Sequence, residues 1–282
     1  MIQSYSFSGI EDGPHLLFFG AIHGNEPCGT KAIERILKQI ESNNILIKKG
    51  RITFVPVCNP RAFEKNKRYS DINLNRIFKP HVKPTHYEEM LANELILLIE
   101  KCDCLIDLHS VTAASPPFCF LDYVTDKNLE LVKIINVPHI VTGWSDIYND
   151  TNNSSTQSYA HQLGKAAVTI ECGQHDDPQA IDHAFHYIIS ALERFAIIDV
   201  NKYQETYPLH STIYHLQNVI YKTADLDMTQ DFINFHPVEK GTALAKSPTQ
   251  TIVAPSDGAV VMPNPNVKVG EDLFYFATSK AL

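Results

Sequence analysis

Short uninterrupted apolar runs, each closed by polar residues at its carboxyl end, set the rhythm of the first two thirds of the chain. Residues 16–22 (LLFFGAI) show no polar alternation and are too short for a helix, which predicts a strand buried on both faces. His23, Gly24, Asn25 and Glu26 follow at once. Asn25 is expected to cap a helix with Pro27 in its first turn, because Ala32, Ile33, Ile36, Leu37 and Ile40 then recur at helical spacing. Residues 51–57 (RITFVPV) read as a second strand whose proline suits an edge or an irregularity. Residues 58–84 are rich in Asn, Arg and Lys and too long for a simple connection, which favours a functional loop. A helix packed on one face through Met90, Leu91, Leu95, Leu98 and Ile99 is predicted over 87–100.

The strand pattern returns at 104–108 (CLIDL) and 166–170 (AAVTI), ending at His109 and Glu171. Between them a strand is expected at 118–122 and a helix at 128–135, and residues 144–157, polar and aromatic, have the character of a surface or lid loop. An amphipathic helix follows over 179–195. Beyond residue 198 the character changes to short β-prone runs at 212–222, 251–254, 259–262 and 273–277, separated by Gly, Pro, Asn and Asp. Periodicity therefore predicts an α/β catalytic domain over 1–197 and a smaller β-rich domain over 198–282.

In an open α/β sheet, ligands bind at the carboxyl edge of the strands. Three strands ending at His23 and Glu26, at His109 and at Glu171 would bring these side chains to one site. Two imidazoles and one carboxylate leave zinc one open position, the mark of a catalytic site. Asp107 is placed either to orient His109 or to make a structural salt bridge. Glu171, off the metal, is the candidate to accept a proton from water and hand it to a leaving amine. Arg68, Asn75 and Arg76 in the long loop offer a positive partner for a developing oxyanion and a planar clamp for a substrate carboxylate.

Composition narrows the partners. A chain of 282 residues buries a substantial core without disulfides, and a formal net charge of −8 argues against general nucleic-acid binding. The six cysteines are scattered without a CxxC pair and read as reduced small hydrophobes. The amino terminus has neither a basic nor an apolar signal region, and no apolar run approaches the ~18 residues of a membrane span. The expectation is a cytoplasmic enzyme with a small-molecule substrate and no membrane or nucleic-acid partner; self-association is left open.

The motifs HGNE (residues 23–26), RYSDINLNR (68–76), DLHS (107–110) and TIECG (169–173) together resemble the succinylglutamate desuccinylase/aspartoacylase family of the zinc carboxypeptidase superfamily. The resemblance covers almost the whole chain in order. It implies a mixed central sheet flanked by helices, followed by a small β domain that caps the active-site channel. It also implies one Zn2+ on His23, Glu26 and His109, with Glu171 as general base and then general acid. Arg68 would polarise the scissile carbonyl, and Asn75 with Arg76 would hold the α-carboxylate of an N-acyl amino acid whose amide is hydrolysed. Aspartoacylase carries an arginine ten residues before its catalytic glutamate for the aspartate side chain. Here that position is His161, and no arginine lies between Asp107 and Glu171, which argues against N-acetylaspartate and makes His161 a candidate for binding the substrate side chain. The competing readings are a zinc carboxypeptidase on short peptides and a non-enzymatic zinc-containing binding protein.

Overall fold

A computed structural model describes residues 2–148, 154–199 and 211–282. In chain order the elements are β1 (Tyr5–Ser8), β2 (Glu11–Gly20), α1 (Cys28–Glu41), β3 (Lys49–Val55), α2 (Pro60–Glu64), a 3-10 turn (Leu74–Arg76), α3 (Tyr87–Ile99), β4 (Cys104–Val111) and β5 (Phe118–Phe120). Next come α4 (Asp126–Ile135), β6 (His139–Thr142), α5 (Trp144–Tyr148), α6 (Thr156–Gln162), β7 (Ala166–Gln174) and α7 (Gln179–Arg194). The chain closes with β8 (Thr212–Tyr221), β9 (Asp227–Met228), β10 (His236–Val238), β11 (Ala243–Lys246), β12 (Thr251–Val253), β13 (Gly258–Val261) and β14 (Asp272–Ala281).

The main sheet is mixed and runs β1-β3-β2-β4-β7-β5-β6-β8-β14-β13-β10. Its centre is parallel: β2 pairs with β3 on one side and β4 on the other, and β4 pairs with β7. The absence of polar alternation in β2 has the expected cause. Leu16 and Phe18 pack beneath α1, α4 and α7 with Ile33, Ile36, Leu131 and Ile188, while Leu17 and Phe19 face α3 and α6 with Leu91, Leu95, Ile99 and Tyr159. Each face of the sheet is thus covered by helices.

The β-rich tail joins this sheet edge to edge. β8 lies parallel to β6, with His139 opposite Thr212 and Thr142 opposite His215, and β14, β13 and β10 extend the sheet from there. One apolar cluster combines Phe118 and Val141 with Leu216, Phe235, Val261 and Tyr275, so side chains from both stretches share a core. A second, three-stranded sheet of β12, β11 and β9 packs around Leu226, Leu244, Phe274 and Phe276.

Several local expectations change. The α1 N-cap is Pro27, whose ring offers no acceptor for a cap bond, and a tight turn in which Glu26 N donates to His23 O at 3.2 Å intervenes between strand and helix. Asn25 is left outside the helix. Leu91, Leu95 and Ile99 of α3 are buried as expected, whereas Met90 is 45% exposed and Glu88, Ala92 and Ile96 join the buried face. The stretch expected as a lid loop is helical at both ends, as α5 and α6, with residues 149–153 outside the described segments. Ser155 caps α6 by accepting from Ser158 N at 3.0 Å, and Thr156 and Gln157 are buried. All six cysteines are free and buried.

Candidate metal centre and active site

Strand register assembles the site. Gly20 lies opposite Leu108, and His109 lies opposite Glu171, so both side chains sit level with the end of β2, while β4 and β7 run on to Val111 and Gln174. Ala21 then bends away with φ of +47°, strained for a residue with a Cβ, and carries the chain into the His23 turn. Gly24 is required there: a Cβ would lie 2.1 Å from the Ala62 carbonyl carbon of α2. Gly24 N also donates to Arg68 O at 3.3 Å, which ties this turn to the long loop.

His23, Glu26 and His109 are all buried, and one ligand atom from each lies within 4.8 Å of the other two. Glu26 joins them: its Oε1 is 2.9 Å from His23 Nδ1 and its Oε2 is 2.8 Å from His109 Nδ1. The far ring nitrogens are also held. His23 Nε2 is 3.1 Å from Asn73 Oδ1, and His109 Nε2 lies 2.9 Å from Asp107 Oδ2. Asp107 is fixed in turn by Thr156, whose Oγ1 donates to Oδ2 at 2.6 Å. Metal-binding histidines characteristically have an oxygen partner on the nitrogen that faces away from the ion; His23 has such a bond, and the Asp107 carboxylate stands beside the far nitrogen of His109.

Charge placement favours a cation between these groups. Burial opposes ionisation of Glu26, yet His23 and His109 outweigh it and hold the carboxyl well below its ordinary range. Burial likewise disfavours charge on His109, but Asp107 and Glu26 outweigh it and raise its pKa well above the usual imidazole value. The pocket therefore stabilises positive charge at His109, and a divalent cation is the natural replacement for a proton there. Two ring nitrogens and a carboxylate suit zinc by donor type.

Glu171 stands beside this cluster in the same cavity, of about 230 Å³. Burial pushes its carboxyl up to about 8; Glu26 and Asp107 add to the rise while His109 and Arg68 oppose it. Its Oε2 is buried and has no hydrogen-bond partner. Arg68, Asn75 and Arg76 line the cavity too. Arg68 Nη1 donates to Glu26 Oε1 at 3.0 Å. Asn75 accepts Thr156 N on Oδ1 at 3.0 Å, which leaves its NH2 group as the available donor. Burial and Arg68 push the Arg76 guanidinium down, and Asp122, Tyr148 and Tyr275 push the other way, so an anion beside it is favoured.

His161 is the predicted residue that is not brought in. It lines neither this cavity nor its neighbour and stacks on Tyr123 with ring centroids 3.8 Å apart. Other cavity residues carried no sequence signal. His175 follows β7 and sits 2.8 Å from Ser110 Oγ through Nδ1, and Asp122 follows β5.

The most consequential omission is Glu88. Fully buried at the start of α3, it accepts Asn59 Nδ2 at 3.1 Å, Ser70 N at 2.7 Å, Asp71 N at 3.1 Å and Ile72 N at 3.3 Å. One carboxylate thus holds both the α2 cap and the loop between Arg68 and Arg76. Glu88→Gln turns acceptor oxygen into donor NH2 against amides that themselves donate. It is expected to cost about 2–4 kcal/mol in chemical denaturation. A loss below about 0.5 kcal/mol would show that the loop is held by something else.

Three parallel strands at the centre of a mixed sheet thus bring together a buried His–Glu–His cluster that could hold a metal ion, with a carboxyl beside it. The chain belongs to the succinylglutamate desuccinylase/aspartoacylase family, whose catalytic-domain sequence model matches residues 12–194. The aspartoacylase of Danio rerio is 28% identical over 197 residues, covering 64% of this chain and 60% of that protein. The succinylglutamate desuccinylase of Vibrio vulnificus strain CMCP6 is 22% identical over 293 residues, covering 91% of this chain and 78% of that protein. Among solved structures, succinylglutamate desuccinylase/aspartoacylase from Rhodobacter sphaeroides superposes with a TM-score of 0.80 at 18% identity, covering 99% of this chain and 89% of that one. The ectoine utilization protein EutE (DoeB) from Ruegeria pomeroyi gives 0.78 at 21% identity with the same coverage. Among the described residues, no helix is long and apolar enough to cross a membrane.

Proposed function

We propose that the chain is a zinc-dependent hydrolase of the amide bond in N-acyl amino acids, with the chemistry carried by residues 1–197. The observation that carries this reading is Glu171, a buried carboxyl with a free oxygen in the cavity of the His23–Glu26–His109 cluster. Zinc, when bound by those three residues, supplies a Lewis acid that makes water acidic and polarises a carbonyl. Glu171 accepts the proton released from water at its carboxylate and returns it to the leaving nitrogen. Its place in the cavity beside the three candidate ligands, with Oε2 free, puts one carboxylate within reach of both the water and the leaving nitrogen. Arg68 keeps four N–H donors beyond the one engaged by Glu26 and stabilises negative charge as it develops on the carbonyl oxygen. Arg76 and the Asn75 NH2 group hold the α-carboxylate.

The β-rich tail contributes to this enclosure: Met262 lines the cavity beside the metal ligands and Asp272 lines its neighbour. Amino acid release from N-acetyl, N-succinyl and N-formyl amino acids, with zinc and after chelation, tests the reading. Zinc-dependent release is expected; turnover of dipeptides alone would replace it with a carboxypeptidase. Arg76→Ala is expected to raise KM about 10–100-fold, the range of a lost charge-assisted hydrogen bond, with a smaller change in kcat. An unchanged KM would remove Arg76 from carboxylate binding.

A further inference from the structure

A second cavity, of about 270 Å³, adjoins the first, and the two share Asn75, Arg76, Asp122, Trp144 and Ser155 in their walls. Asp122 stands at this junction. Its backbone is fixed, since Asp122 N donates to Gln157 Oε1 at 3.1 Å and the preceding Leu121 N donates to Val141 O at 2.8 Å. Asp122 Oδ1 is buried without a hydrogen-bond partner, and no ion pair joins Asp122 to Arg76 among the described residues. A buried carboxylate oxygen with no donor among the described residues lacks a partner that a ligand can supply.

The charges around it specify what that ligand carries. The cationic side chains in the walls of both cavities are Arg68, engaged with Glu26, and Arg76, assigned to the α-carboxylate. Among the described residues, no lysine or further arginine lines either cavity for an acidic side chain. The second cavity instead adds Asp272, whose Oδ2 accepts the Tyr148 and Tyr275 hydroxyls at 2.6 Å each. Trp144 and Tyr148 bring aromatic faces to the same wall, surfaces that attract an ammonium group. Burial also pushes the Asp122 carboxyl up to about 6, against the pull of Arg76, so the group is costly to ionise until a cation joins it.

Resting on the deacylase reading above, we infer that Asp122 is a specificity-determining residue that selects N-acyl amino acids with an ammonium-bearing aliphatic side chain. Asp122 pairs with the side-chain ammonium while Arg76 holds the α-carboxylate next to it. An aspartate or glutamate side chain at the same place meets a carboxylate and no free cation.

Two measurements test this on the zinc-loaded full chain. The first compares kcat/KM for Nα-acetylornithine, Nα-acetylnorvaline and Nα-acetylglutamate in the wild type and in Asp122→Asn. The wild type is expected to prefer the ornithine substrate over the uncharged norvaline one by about 10–100-fold, and the variant to narrow that ratio to within ~3-fold. The second measures binding of free L-ornithine and L-norvaline by calorimetry, with the same change in ratio expected. A wild-type ratio near 1, a preference for acetylglutamate, or a ratio that survives in Asp122→Asn overturns the inference. Ornithine binding that depends on Asp122 without hydrolysis of any substrate supports the inference while removing the deacylase reading. Should Asp122→Asn fail to fold by thermal melting, the wild-type binding ratio decides alone.

Discussion

Glu171→Gln is expected to lower kcat about 10²–10⁴-fold while zinc content stays at one per chain. The amide keeps the shape of the carboxyl but cannot accept a proton from water at neutral pH, so only the proton-transfer step is removed. Binding of metal is expected to persist because the three candidate ligands are His23, Glu26 and His109, with Glu171 outside that set. The fold should tolerate the change, since Glu171 Oε2 makes no hydrogen bond. Metal analysis, thermal melting and single-substrate kinetics separate the outcomes. Activity within about threefold of wild type would remove Glu171 from proton transfer, and loss of zinc would make it a ligand instead.

Glu26→Ala is expected to abolish zinc retention and, with it, activity. Loss of a group that merely supports a ligand costs about 10–100-fold in metal affinity, and loss of a ligand exceeds that. Besides being a candidate ligand, Glu26 organises the groups around it. Its two oxygens meet His23 Nδ1, His109 Nδ1, Arg68 Nη1 and, at 3.3 Å, Ser110 N. Its removal leaves two buried imidazoles beside a guanidinium with no anion between them, so zinc binding would also have to overcome repulsion from Arg68. Stoichiometric zinc in the purified variant after dialysis would show that Glu26 is not a ligand and that another carboxylate takes its place.

Much of this site is legible in the chain because the polar residues that matter sit where apolar runs stop. Residues 16–22, 104–108 and 166–170 lack polar alternation for a physical reason, helices on both faces of the sheet, and that is why their ends stand out. The long loop was visible as a functional segment through its length and its arginines, while its anchor was not. Glu88 lies on α3, where one carboxylate among several polar residues gives no sign that four donors will converge on it. Asn73 was likewise one asparagine among several in that loop, and only the fold sets it against His23 Nε2.

His161 shows the opposite limit. Counting residues back from Glu171 points to His161 for the substrate side chain, but it lies on α6 and lines neither cavity; its ring stacks on Tyr123, a wall residue of the second. Asp122 occupies the wall instead, delivered by the end of β5, a strand that runs antiparallel to β7 and so reverses the direction from which its neighbours arrive. Linear spacing carries no information about which element will cross over to a given wall.

The sequence by itself determined the family, the strand-end histidines and glutamates, and the chemistry those residue types permit, because burial imposes periodicity and metal ligation demands particular donors. The tertiary structure decided which second groups stand against the histidines, which carboxylate fixes the long loop, and which acidic side chain lines both cavities. Those choices depend on register between strands and on contacts between segments far apart in the chain. His109 opposite Glu171 and Thr156 against Asp107 are pairings that no local pattern encodes.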